Sequence, residues 1–221
     1  MDIDDILADL DRESTPQENL DLQSLTRSWV AERVAPELIP YPEELMERVL
    51  ERIARQIEVI EEQTGSMDPK TNFKLIVIQT ELERFKFLVR SFLRARIAKI
   101  DAHPLHYTNV SATTTITPSL LSLFEHQYLT AHQSLLSTHY RTSFLSQFPT
   151  QLQRLDDTTG GISMIDKPDG DAAVFVRVLR DCGVVAVEGT DVRCEMNKGD
   201  VFVVRWSAVR GRVLGGDVEL I

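Results

Sequence analysis

Two histidines, His132 and His139, stand seven residues apart, which puts both on one face of a helix and would suit two imidazole nitrogens on a transition metal. No third ligand follows at a fitting spacing, so packed or hydrogen-bonded imidazoles are the expected state. Cys182 and Cys194 have no second cysteine pair or histidine cluster beside them, and reduced, partly buried thiols are expected in place of a zinc site. Glu81 and Glu83, two residues apart, point to different sides of a helix and are unsuited to shared acid-base work. There is no Gly-rich phosphate loop, no G-x-S-x-G elbow and no H-E-x-x-H, so neither an enzyme nor a cofactor is expected. One set with chemical potential remains. Arg84, Lys86, Arg90, Arg94, Arg96 and Lys99 could track phosphates, but the aromatics among them lie along a packing face, and basic residues in the C-terminal half of a helix complement its dipole.

The element that must position these residues is a helix from Asp68 to Asp101. Leu75, Ile78, Leu82, Phe85, Val89 and Phe92 recur at steps of three and four and form one apolar stripe. Phe73, Ile76, Val77, Phe87 and Leu88 make a second row beside it, wider than one neighbour would cover. Asp68-Pro69 supplies an N-cap and first helical position, and His103-Pro104 the stop. Such a rod is about 50 Å long. The surplus apolar surface predicts an intersubunit as well as an intramolecular role, with Phe85, Val89, Phe92, Arg94 and Arg96 as candidate interface residues and Leu82 in the helical core.

With 221 residues, 43% of them hydrophobic, the chain can bury a real core. No run approaches a membrane span and the acidic N-terminus lacks the features of a signal peptide, so an intracellular protein is expected. Residues 1–21 hold eight acids against Arg12, a charge of −7 out of the chain's −10. The near-neutral body argues against an independent DNA-binding domain; DNA contact would be at most indirect.

Four regions are predicted: a flexible acidic peptide over 1–20, a helical domain over 21–150, a linker over 151–164 and a small β domain over 165–221. In the peptide, Ile3, Ile6, Leu7 and Leu10 form a minimal amphipathic face that invites a partner groove. The body opens with a helix from Asp21 to Ala35 carrying Trp29 inward, followed by a second from Leu45 that closes at Gly65. Thr108–Thr117 reads as an exposed Ser/Thr-rich loop, and Leu121, Phe124, Tyr128 and Leu135 as the inner face of a fourth helix begun at Thr117-Pro118. Beyond the linker the period becomes two, predicting short strands at 172–179, 184–187, 192–196, 201–206, 209–214 and 218–221 in a small rolled sheet. Val174, Val176 and Val178 are assigned to its core. The fold class is therefore α+β, mostly α: an N-terminal helical bundle followed by a small β-rich domain.

The run NFKLIVIQTELERFKFLVRSFLRARIAKID, from Asn72, resembles the central signature of the GINS family of DNA replication factors, in its Sld-five type. Trp29, Glu32, Arg33, Pro36 and Glu37 fit that family's element before the long helix, and SMIDKPDGDAAVFVRVLRD and KGDVFVVRWSAVRGRVLGGDVELI resemble its C-terminal domain. The resemblance implies a nuclear, non-catalytic subunit of a heterotetramer with three sister GINS subunits. It also implies contact with the MCM hexamer and its cell-division-cycle partner in the replicative helicase. DIDDILADL resembles the peptide with which fungal members hook onto a trimeric replisome adaptor; Asp4, Asp5, Ile6, Leu7 and Leu10 occupy the matching places. The alternative is a generic helical scaffold or adaptor in another nuclear assembly.

Overall fold

A computed structural model describes residues 16–63, 69–113, 119–155, 164–186 and 193–221. Six α-helices lie among them: α1 (Gln17–Val34), α2 (Glu43–Gln63), α3 (Pro69–Ala102), α4 (Pro104–Thr113), α5 (Leu123–Ser143) and α6 (Trp206–Leu214). Five short strands complete the set: β1 (Ala173–Val178), β2 (Gly183–Ala186), β3 (Arg193–Met196), β4 (Val201–Arg205) and β5 (Val218–Leu220). The fold is mostly helical with a strand-bearing C-terminal region. Candidate residues Asp4, Asp5, Ile6, Leu7 and Leu10 lie outside the described residues, as does the segment 156–163 of the expected linker.

The chain divides into two compact units, one made of residues up to Ala31 with Pro42–Leu93, the other of Glu32–Tyr41 with Arg94–Ile221. Two of the three divisions fall inside helices, within α1 and within α3, and the third, between Tyr41 and Pro42, lies just before α2.

In the first unit the inner row of α3 is the first apolar stripe: Leu82, Val89 and Phe92 are buried and Leu75, Ile78 and Phe85 partly so. Each helix is tied to the next by polar groups at the margin of this core. The Trp29 indole N–H of α1 donates to Ser91 Oγ at 2.9 Å, and its ring meets Phe87 edge-on at 6.5 Å. Arg48 and Arg52 of α2 donate to Asp21 and Glu18 of α1, and the Arg52 guanidinium also lies 5.5 Å from the centre of the Phe85 ring. Leu25, Leu45, Met46 and Val49 are buried here, each worth about 1.5–3 kcal/mol relative to exposure.

In the second unit Leu38, Ile100, Tyr107, Leu121 and Leu129 form one apolar cluster. A three-stranded antiparallel sheet, ordered β4–β1–β5, turns Val174, Val176 and Val178 inward with Val204, Val218 and Leu220. A separate β2–β3 hairpin pairs Gly183 with Met196 through Ala186 with Arg193. Gly199, at φ +93°, makes the turn into β4 that a side chain would strain.

Three expectations are corrected. Residues 108–113 belong to helix α4, because Pro104 not only stops α3 but starts the next helix at a position where its missing N–H costs nothing. Residues 209–214 are helix, not strand: Trp206 and Val209 bury one face of α6, a spacing of three. The strands accordingly make two small sheets in place of one rolled sheet. Tyr128 is no core residue. It is 39% exposed and donates through its hydroxyl to Asp101 at 2.8 Å, and Phe124 and Leu135 are exposed beside it. The face of α5 that turns inward carries Glu125 and Leu129 instead.

Candidate assembly interface

The residue that organises the second unit is Arg96, fully buried on α3. All five guanidinium N–H groups find acceptors. Nε and Nη2 donate to the Glu125 carboxylate at 2.6 and 3.0 Å, Nη1 to Glu32 at 2.9 Å and the Ile39 carbonyl at 2.7 Å, and Nη2 also to the Leu120 carbonyl at 2.8 Å. Lys99, one turn on, donates to the second oxygen of Glu32 at 2.7 Å and to the Glu37 carbonyl at 2.8 Å. Two cations and two buried carboxylates cancel. Burial alone would lower the affinity of Arg96 for its proton, but Glu125 and Glu32 together raise its pKa above the ordinary arginine value. For Lys99 burial wins over Glu32 and lowers the pKa. Tyr41 adds a ring 5.2 Å from the Arg96 guanidinium.

Glu125 is fixed twice. As the N3 residue of α5 it closes a capping box, accepting from the Ser122 backbone N–H at 2.9 Å while its own N–H donates to Ser122 Oγ at 3.2 Å. The requirement that Glu125 face Arg96 sets the rotation of α5 and turns Phe124, Tyr128, Ala131 and Leu135, a row at steps of four, three and four, away from the chain. Leu123 is exposed beside them. Sequence reasoning missed this because the partners of Arg96 stand 64 and 29 residues away. The available signal was the pair Ser122 and Glu125, a capping-box spacing.

A second uncovered row runs along α3 in the first unit. Phe73, Ile76, Val77 and Phe87 are 48–70% exposed. Trp29, Ile76, Thr80, Arg84, Phe87 and Leu88 border a groove of about 790 Å³ there.

The proposed interface residues divide accordingly. Phe85 is half-buried beneath Arg52 and Arg94 is exposed, whereas Val89, Phe92 and Arg96 are closed off by this chain's own fold and belong to its core. The phosphate track is likewise dismantled: Arg84 pairs with Glu81, Lys86 and Arg90 pair with Glu83, and Arg96 and Lys99 are committed inside. His132 stacks on Tyr128 with Nδ1 3.5 Å from Asp101, while His139 is exposed next to Tyr140; the two do not converge. Among the described residues no group of three His, Cys, Asp or Glu side chains could hold a metal ion, and no helix is long and apolar enough to cross a membrane. What remains among the described residues is the pair of exposed apolar rows on α3 and α5.

Comparison with known proteins gives the family. The profile of the GINS complex protein helical bundle domain matches residues 46–144, and that of the C-terminus of DNA replication complex GINS protein SLD5 matches residues 168–221. The chain belongs to the SLD5 family of GINS proteins. The SLD5 protein of Chaetomium globosum is 52% identical over the full length of both chains. SLD5 of Yarrowia lipolytica is 38% identical, covering all of this chain and 85% of the relative, and that of Schizosaccharomyces pombe is 37% identical over all of this chain and 99% of its own length. The division of the family profiles, helical then C-terminal, follows the change from helices to strands in this chain.

Proposed function

We propose that this chain is a non-catalytic structural subunit of the GINS complex in nuclear DNA replication, joined to three sister subunits through the outer rows of α3 and α5. The observation that carries this reading is the reversal of the usual distribution: charged Arg96, Glu32 and Glu125 are buried while Phe73, Phe87, Phe124 and Leu135 face outward. Surfaces of that kind mark protein partners. Through the assembled complex the chain would meet the MCM hexamer and its cell-division-cycle partner, with DNA reached only through them. The amphipathic N-terminal peptide, by its resemblance to the fungal docking motif, would engage the trimeric replisome adaptor through Asp4, Asp5, Ile6, Leu7 and Leu10.

The test is co-expression with sister subunits followed by size-exclusion chromatography. Phe87→Asp and Phe124→Asp should leave the isolated chain folded by circular dichroism but prevent its elution as a heterotetramer. Unchanged assembly by both variants would remove the outer rows from the interface. For the peptide, residues 1–19 are titrated against the adaptor beside a variant with Ile6 and Leu7 changed to Ala, and equal binding by the two would end the docking reading.

A further inference from the structure

Strand β4 lies at the end of the β4–β1–β5 sheet, and among the described residues no strand pairs with its outer edge. The Val178 N–H donates to the Asp200 carbonyl and the Trp206 N–H to the Ala172 carbonyl, both at 2.9 Å. By the alternation of an antiparallel ladder, the backbone groups of Phe202 and Val204 then point toward β1 while those of Val201, Val203 and Arg205 point away. Edge strands are ordinarily blunted by proline, lysine or a bulge. Within β4 there is no proline or lysine, the one bulge, Gly199–Asp200 opposite Val178, precedes the strand, and the register with β1 is unbroken from Ala173↔Arg205 to Arg177↔Val201.

The side chains on the same edge are open too. Val201 and Val203 are 54% and 57% exposed, and Phe175, opposite Val203, is 56% exposed. Ile221, whose N–H donates to the Phe175 carbonyl, continues the patch. Charges stand at its ends. Arg177 donates to Glu219 at 3.2 Å, while half-exposed Arg205 stands 3.6 Å from Asp171, which is itself 72% exposed.

A row of alternating N–H and C=O groups is matched by extended backbone and not by a helix or a nucleic acid. We propose that β4 is an addition site for an extended segment of a partner protein, bearing apolar side chains opposite Val201 and Val203 and a carboxylate opposite Arg205. Main-chain hydrogen bonds supply affinity, and the alternate side chains supply selection. A second copy of this chain is the poorer fit. Antiparallel self-pairing about Val203 sets each Arg205 against Val201 and matches no charge.

The experiment pans phage-displayed random peptides against the immobilised full-length chain, synthesises the best binder and follows amide hydrogen exchange during its titration. The expected peptides carry apolar residues at two alternate positions and Asp or Glu at the next alternate position, after them where the peptide runs parallel to β4 and before them where it runs antiparallel. Binding slows exchange at Val201, Val203 and Arg205 by about tenfold or more. Val203→Pro removes an outward N–H without touching the β1 ladder, and affinity should fall about tenfold with the melting curve unchanged. Should that variant not fold, Arg205→Glu carries the test: it weakens the acidic peptide and restores binding to one with Lys at that position. Overturning results are an absence of selected peptides, peptides that bind as helices, or binding indifferent to Val203→Pro and Arg205→Glu. Protection of the three amides in the free chain, or concentration-dependent dimers through β4, would equally overturn it.

Discussion

The two halves of α3 obey opposite rules. Up to Leu93 the helix buries one aliphatic and aromatic row and leaves a second one, with Phe73 and Phe87, in solvent. From Arg94 onward it buries a cation and holds it with five hydrogen bonds. A chain evolved to stand alone would gain little from either choice, since a buried ion pair seldom outperforms apolar packing and an exposed phenylalanine stabilises nothing. Together they make sense in a subunit. The ionic half fixes how α5 and the segment before α2 are rotated, and the apolar half carries the exposed row on which the proposed subunit contact rests.

The largest effect expected from breaking this contrast is at Arg96. Replacement by Ala leaves buried Glu125 without a cation and Glu32 with Lys99 alone, and should cost about 3–5 kcal/mol in urea denaturation. Arg96→Lys keeps the charge but not the fork and should lose less. The pair Phe92→Ala and Phe87→Ala sharpens the comparison within one helix. Removing the buried Phe92 ring should cost about 3–5 kcal/mol. Removing Phe87, which only meets Trp29 edge-on, should cost no more than about 1 kcal/mol in the isolated chain yet weaken co-elution with sister subunits.

Tyr107 gives a smaller effect with a pH signature. Its hydroxyl accepts from the Leu38 N–H at 3.2 Å, and burial pushes its pKa from 10.0 up to about 12. Tyr107→Phe should cost about 1–3 kcal/mol near neutrality by orphaning that donor. Because the folded pKa is raised, the stability gained by keeping the phenol neutral is whole below pH 10 and is lost as pH rises toward 12. The gap between wild type and variant should therefore close over that range in alkaline denaturation curves. Least of all should change with Glu83→Gln, whose partners Lys86 and Arg90 lie on the solvent side of α3.

Local regularity made much of the fold readable: the period of α3 and the alternation that buries Val174, Val176 and Val178. Where a residue's surroundings come from distant parts of the chain, pattern misleads. Tyr128 shares the most apolar stripe of α5, and apolar stripes are ordinarily turned inward, but the rotation was decided by Glu125 reaching Arg96. Arg96 itself looks like one more surface arginine in a basic run until Glu32, 64 residues earlier, is placed beside it. Residues 209–214, with Val209 and Val213 in step and Arg210 and Arg212 between them, suit a strand, and only the burial of Trp206 and Val209 together reveals the helix.

The contact between Trp206 and Glu37 also has a consequence in time. The indole N–H donates to the Glu37 carboxylate at 2.9 Å, and Arg210 joins the same oxygen, across 169 residues of sequence. At a synthesis rate of about 5–20 residues per second, Glu37 is made about 10–30 s before the tryptophan that closes on it. Helices α1 to α5 can form on the ribosome during that interval, before Trp206 exists to close on Glu37. A message truncated before Trp206 would thus yield a chain with α1 to α5 and this clasp undone.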